Sequence, residues 1–199
     1  MTDTLLCRTG PASGSNSTCS FLITIGLHDR SVLIIPMNDN HLVIKQATTD
    51  DVPVIFTLLR GLAEYEDLTV DFVVTEPDLT KALFGTNPIA SVILAYESNT
   101  AIGIAVFCNH YSTFLGREYL YLEDIFVIPS HRGSGVGRKL MEQAAILAKT
   151  RGSRMIEWTV LNWNEPAIEF YEHLGAKPVE GWITYRLNGD ALETLSNPP

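Results

Sequence analysis

The sequence predicts an α/β (α+β) fold, with a mixed, mostly antiparallel central sheet of about six to seven strands and helices on both faces. Three observations predict it. Two apolar strand-like runs, Ala90–Glu97 and Ala101–Asn109, flank the turn residues Ser98-Asn99-Thr100, which marks an antiparallel hairpin. Later apolar runs alternate with segments of helical period, which marks strand–helix–strand units. The 199 residues are 46% hydrophobic and 19% charged, enough for one sizeable core and short for two.

The elements follow in order. Residues 1–40 read as an N-terminal extension, a loose arm or an added strand: Met1–Ser20 is rich in Ser, Thr and Gly, and two short apolar runs follow. A domain spans 41–195. His41–Gln46 alternates as a first strand. Thr49 can cap a first helix, Asp50 and Asp51 suit its first turn, and Val52, Ile55, Phe56, Leu59, Leu62 and Ala63 share one face. Thr75-Glu76-Pro77-Asp78 opens a second helix in the manner of a capping box, and Gly85 closes it. After the hairpin, Glu118–Ile128 is a long, mostly apolar strand. A helix runs from about Val136 to Arg151, Met155–Leu161 is a strand, and a helix starts at Asn164-Glu165-Pro166 and ends at Gly175. Trp182–Leu187 reads as a last strand, Ala191–Leu195 as a closing helical turn, and 196–199 as a frayed tail.

Composition narrows the function. Net charge is -9 and no dense Lys/Arg cluster occurs, so nucleic acid is not an expected partner. No run of about 18 apolar residues occurs, so no membrane span is expected. Cys7, Cys19 and Cys108 are odd in number, widely spaced and outside any metal-ligand spacing. Neither a disulfide framework nor a metal site is expected, and a reducing, cytoplasmic setting fits.

The chemistry starts at Arg132-Gly133-Ser134-Gly135-Val136-Gly137, set between a buried strand and a helix. Glycines allow a tight turn and close approach of a ligand, and the first N–H groups of a helix lack internal partners. Together they make an anion site suited to a pyrophosphate, with Arg132 and Arg138 flanking it. A Walker P-loop fails because the sixth residue from Gly133 is Arg138. A Rossmann fingerprint fails because Arg138 and Leu140 stand where its third glycine belongs. By themselves the glycines fit a plain tight turn equally well.

Two further segments carry polar groups. Glu123 and Asp124 interrupt the apolar run Tyr119–Ile128, where adjacent residues face opposite sides unless a bulge intervenes. A paired structural carboxylate and a catalytic one are both open on composition. Asn164 and Tyr171 lie about two turns apart on one side of a helix, which also fits a cap and a core tyrosine.

Arg132-x-x-Gly135-x-Gly137 resembles the acetyl-CoA pyrophosphate motif of the GCN5-related N-acetyltransferases (GNAT), and the element order over roughly 41–195 matches that fold. The likeness is nearest to the spermidine/spermine (diamine) N-acetyltransferase group. It is carried by Tyr121-Leu122-Glu123-Asp124-Ile125-Phe126-Val127 and by Asn162-Trp163-Asn164-Glu165-Pro166-Ala167-Ile168-Glu169-Phe170-Tyr171.

The resemblance implies direct acetyl transfer from acetyl-CoA, as co-substrate, to a primary amine of a small cationic molecule, a polyamine or a lysine-like amine such as thialysine. It assigns Glu123, rather than Asp124, to amine deprotonation and Tyr171 to protonation of the CoA thiolate. It puts acetyl-CoA against Arg132, Gly133, Ser134, Gly135, Val136, Gly137, Arg138, Asn164 and Tyr171, and against the backbone N–H groups of Ile125, Phe126 and Val127. It puts the amine near Tyr65, Glu66, Glu123 and Trp182, and it implies a homodimer. Two other readings stay open: acetylation of a protein or peptide, and a module that holds acyl-CoA without turnover.

Overall fold

The computed structural model describes residues 42–197, so the expected extension at 1–40 lies outside the described residues. Five strands form one sheet in the order β1-β2-β3-β4-β5. They are β1 (Leu42–Gln46), β2 (Ala90–Glu97), β3 (Thr100–Ser112), β4 (Arg117–Val127) and β5 (Ile156–Glu157). The first four are antiparallel neighbours, and β5 joins β4 in parallel. The helices are α1 (Val52–Tyr65), α2 (Glu76–Phe84), α3 (Val136–Thr150), α4 (Glu165–His173) and α5 (Gly189–Ser196).

Local chemistry explains most boundaries. The β2–β3 turn closes on the pair Glu97↔Thr100, with Ser98 at φ 46° and Asn99 at φ 70°. Those left-handed values match the strand twist in a two-residue hairpin. The α2 start is reciprocal: the Asp78 N–H donates to Thr75 Oγ1 at 3.4 Å, and the Thr75 N–H donates to the Asp78 carboxylate at 3.0 Å. The cap of α1 differs from expectation. Thr49 opens a short 3-10 turn, and it is Asp51 that accepts from the Thr48 N–H at 2.8 Å, from Tyr96 Oη at 2.7 Å and from Lys45 Nζ at 3.3 Å.

Each face of the sheet carries a core. On one, α3 packs Leu140, Ala144 and Leu147 over Ile93, Ile102, Phe107, Leu120 and Leu122, with Phe170 and Leu174 at the margin. On the other, Ile55 and Leu58 of α1 and Leu79 and Leu83 of α2 cover Leu94, Ile104, Val106 and Phe126. Burying each of the larger side chains among them is worth roughly 1.5–3 kcal/mol. Helices on both faces are therefore as expected.

The strand count differs: five strands lie among the described residues, against the expected six to seven. Trp182–Leu187 forms no strand: Trp182 is 82% and Tyr185 89% exposed. Its aromatic and branched residues favour a pleated surface, but strand preference is realised only against a neighbour. The expected strand Met155–Leu161 is reduced to Ile156–Glu157. The reason lies in β4. Val106 pairs with Asp124 and Phe107 with Leu122, so Glu123 is the extra residue of a β-bulge. A bulge bends its strand and disrupts pairing. β5 pairs β4 only at Leu120↔Ile156 and Tyr121↔Glu157, just before it.

The bulge also swaps faces. Before it, Leu120 and Leu122 pack on the α3 side. After it, Ile125 and Val127 pack there, and Phe126 lies on the α1 side. Among the described residues, no helix is long and apolar enough to cross a membrane.

Candidate active site

Where β4 and β5 part, a cleft of about 860 Å³ opens. Its floor is β4 from Leu122 to Val127, including the bulge. One wall is the glycine turn leading into α3, and the other is Asn164 and α4 from Pro166 to Tyr171, with Trp158–Leu161. The end of α1 contributes Leu62, Tyr65 and Glu66.

The glycine turn is shaped by backbone that other residues adopt with strain. Gly133 has φ 73° and Gly135 φ 90°, and a Cβ added at either would meet nothing within 4 Å. Gly137 is different, because a Cβ there would lie 3.3 Å from Phe170 Cζ; the missing side chain lets α3 and α4 close on each other. Arg132 donates from Nε to the Val127 carbonyl at 3.0 Å, and its guanidinium lies over the rings of Tyr65 (4.2 Å) and Phe126 (5.5 Å). An α-helix N-terminus, two arginines and open glycine backbone suit a pyrophosphate, and the free edge of β4 beyond Tyr121 suits an extended pantetheine arm.

Asn164 is 6% exposed and caps α4: its Oδ1 accepts from the Ala167 N–H at 3.3 Å and from Tyr65 Oη at 3.1 Å. Pro166 in the first turn leaves no orphan N–H. Two turns on, Tyr171 faces the cleft with its ring 4.9 Å from Trp158 and 5.3 Å from Phe170. Burial, with the charge of Glu66 second, pushes its phenol up to about 12. The hydroxyl therefore keeps its proton at neutral pH.

Three carboxylates meet at the other end. Burial, then the charges of Glu123 and Glu66, pushes Asp124 up to about 6. Burial raises Glu66 as well. Glu123 stands on the exposed crest of the bulge. Burial, followed by Glu123 and Asp124, also raises the nearby Cys108 thiol.

Of the residues named from sequence, the cleft gathers Tyr65, Glu66, Glu123, Ile125, Phe126, Val127, Arg132, Gly133, Gly135, Gly137, Arg138, Asn164 and Tyr171. Three stand outside its lining. Ser134 turns its hydroxyl to the His131 carbonyl at 2.6 Å. Val136 is buried in the α3 core at 3% exposure, and Trp182 stands in solvent while Thr184 reaches the cleft. Sequence reasoning set Asp124 aside and did not name Trp158. A bulge at paired carboxylates was the available signal for the first; none marked the second.

Known proteins match this chain in family and in fold. The family model described as "Acetyltransferase (GNAT) family" matches residues 62–176. The chain is 34% identical over 164 residues to the thialysine N-epsilon-acetyltransferase of Mus musculus, covering 77% of this chain and 96% of that one. It is 30% identical over 197 residues to the L-ornithine N5-acetyltransferase of Arabidopsis thaliana, covering 76% and 86%. Among solved structures, an integron cassette protein from the mobile metagenome of V. cholerae superposes with a TM-score of 0.68 at 26% identity, covering 79% of this chain and 99% of that one. The chain belongs to the GNAT family. It is an N-acetyltransferase, near the polyamine acetyltransferase group in sequence.

Proposed function

We propose that this enzyme transfers the acetyl group of acetyl-CoA directly to a primary amine of a small cationic molecule, a polyamine or a lysine-like amine such as thialysine or ornithine. One observation carries the reading: a helix N-terminus flanked by arginines and a cluster of three carboxylates line the same cleft, with a protonated phenol between elements that build both ends. The relatives named for thialysine and ornithine support an amine acceptor.

The chain's groups divide the work. Arg132, Arg138 and the first N–H groups of α3 hold the pyrophosphate. Asn164 and the backbone N–H groups of Ile125 and Val127, which point away from β3, hold the pantetheine arm and meet charge growing on the thioester oxygen. Glu66, Glu123 and Asp124 draw the ammonium group in. An alkylammonium keeps its proton near pKa 10, so it must lose that proton before attack. Glu123, exposed on the bulge, takes it directly or through water. Tyr171 gives its proton to the departing thiolate. A thiolate leaving from that buried place is itself made more basic by desolvation, which favours the transfer.

Two further elements belong to the proposal: a reducing cytoplasmic setting, supported by the cysteine pattern, and a homodimer, supported by exposed Trp182, Ile183 and Tyr185. Light scattering on the purified protein tests the second.

The functional test is thiol release from acetyl-CoA against spermidine, spermine, putrescine, thialysine, ornithine and lysine-bearing peptides. Release with small amines supports the proposal. Release only with peptides makes it a protein-directed enzyme, and CoA binding with no release on any amine makes it a binding module.

A further inference from the structure

Tyr65 is the last residue of α1, beside acidic Glu66, and the family resemblance groups both with the amine. We propose a different role for Tyr65. It is a positioning residue for the coenzyme half of the cleft, holding Arg132 of the glycine turn and Asn164 of the α4 cap at a fixed separation. The proposal rests on the coenzyme reading given above.

Both functional parts of the tyrosine are occupied. Its ring face lies under the Arg132 guanidinium, 4.2 Å from centroid to carbon. Its hydroxyl donates to Asn164 Oδ1 at 3.1 Å. A cationic amine cannot use a ring face already covered by a guanidinium, because the two like charges repel. The acceptor is equally committed, since Asn164 is buried and the same oxygen caps α4 through the Ala167 N–H.

What Tyr65 joins is otherwise far apart in the chain. Arg132 belongs to the turn before α3 and Asn164 to the start of α4. Both line the cleft, and a third element touches each through one side chain. With Nε bonded to the Val127 carbonyl and its flat face on Tyr65, Arg132 has little freedom left at its centre. Among the described residues no protein group bonds or pairs with its terminal nitrogens, which suits them to an anion. Trp163, beside Asn164, adds a tilted ring contact with Tyr65 at 6.3 Å. Glu66 follows Tyr65 and influences Tyr171 and Asp124, so adjacent residues serve opposite ends of the site.

The test uses Tyr65→Leu, which removes ring and hydroxyl, and Tyr65→Phe, which keeps the ring under Arg132. Three quantities are read: CoA Kd by titration calorimetry, KM for the amine, and Tm. In Tyr65→Leu, CoA affinity falls about tenfold or more, the scale of a desolvated cation–π contact plus a hydrogen bond, while amine KM stays within about twofold. In Tyr65→Phe, with Tm within a few degrees of wild type, the loss shrinks to about two- to fivefold. A rise in amine KM with CoA Kd unchanged overturns the proposal and returns Tyr65 to the amine. CoA Kd unchanged in Tyr65→Phe overturns the hydroxyl link even if the leucine variant is too unstable to measure. Wild-type protein that fails to bind CoA overturns the coenzyme reading itself, and this proposal with it.

Discussion

Glu66, one residue past the end of α1, presses its charge on Asp124, which the β4 bulge turns to the same side of the sheet. Burial is the larger cause, and together with Glu123 these effects carry Asp124 from 3.8 to about 6. The sign of the consequence is fixed. Asp124 holds its proton more tightly in the folded chain than in an unfolded one, so the folded state is favoured below about pH 4 and loses stability as pH rises through about 6. Asp124→Asn removes a penalty of at most roughly 3 kcal/mol at neutral pH, at about 1.4 kcal/mol per pKa unit. Its Tm should rise at pH 7, with a smaller gain at pH 4, while activity falls. Thermal melts at the two pH values check this; a lower Tm at pH 7 contradicts it.

Glu123→Gln leaves the bulge in place and removes the carboxylate. General base catalysis contributes about 10²–10⁴-fold. We expect kcat/KM for the amine to fall within that range, with the largest loss at neutral pH, where nearly all amine is protonated. The loss shrinks toward high pH as free amine becomes abundant. Turnover equal to wild type across the pH range removes Glu123 from proton transfer.

Tyr171→Phe keeps the contacts with Trp158 and Phe170 and removes one hydroxyl. Transfer should slow by about 10²-fold or more, with CoA affinity within about twofold. Stopped-flow thiol release and titration calorimetry separate the two. A phenylalanine variant as fast as its parent shows that the thiolate takes its proton elsewhere.

Gly135→Ala probes the glycine turn. Open space surrounds a Cβ there, so any cost comes from φ 90°. Left-handed backbone costs a non-glycine residue about 1–2 kcal/mol, equivalent to about 2–8 °C for a domain of this size. The variant should melt lower and bind CoA more weakly, because the N–H groups of the turn lose their aim. An unchanged melt and unchanged affinity argue against the cradle.

Much of this was legible in the letters, and the limits have physical causes. The helix starts at Thr75 and Asn164 were readable because capping is local chemistry. The Ser98-Asn99 turn was readable for the same reason. Trp182–Leu187 misled because strand preference is local while a strand needs a neighbour. The shortening of β5 was hidden because it depends on a bulge in another strand. The paired carboxylates offered that bulge as an option without deciding it. Arg132, Glu123 and Tyr171 could each be named, but only the fold puts them on one cleft. The occupancy of Tyr65 by Arg132 and Asn164 links three segments and leaves no local mark.

Transfer of an acetyl group from acetyl-CoA to a small amine in this cleft is tested most directly by mass spectrometry of the amine. The full chain is incubated with acetyl-CoA and thialysine, ornithine or spermidine. The expected product is at least one of these amines carrying one acetyl group on a primary nitrogen, with free CoA formed in equal amount. Bound CoA with every amine unmodified would contradict the proposed transfer.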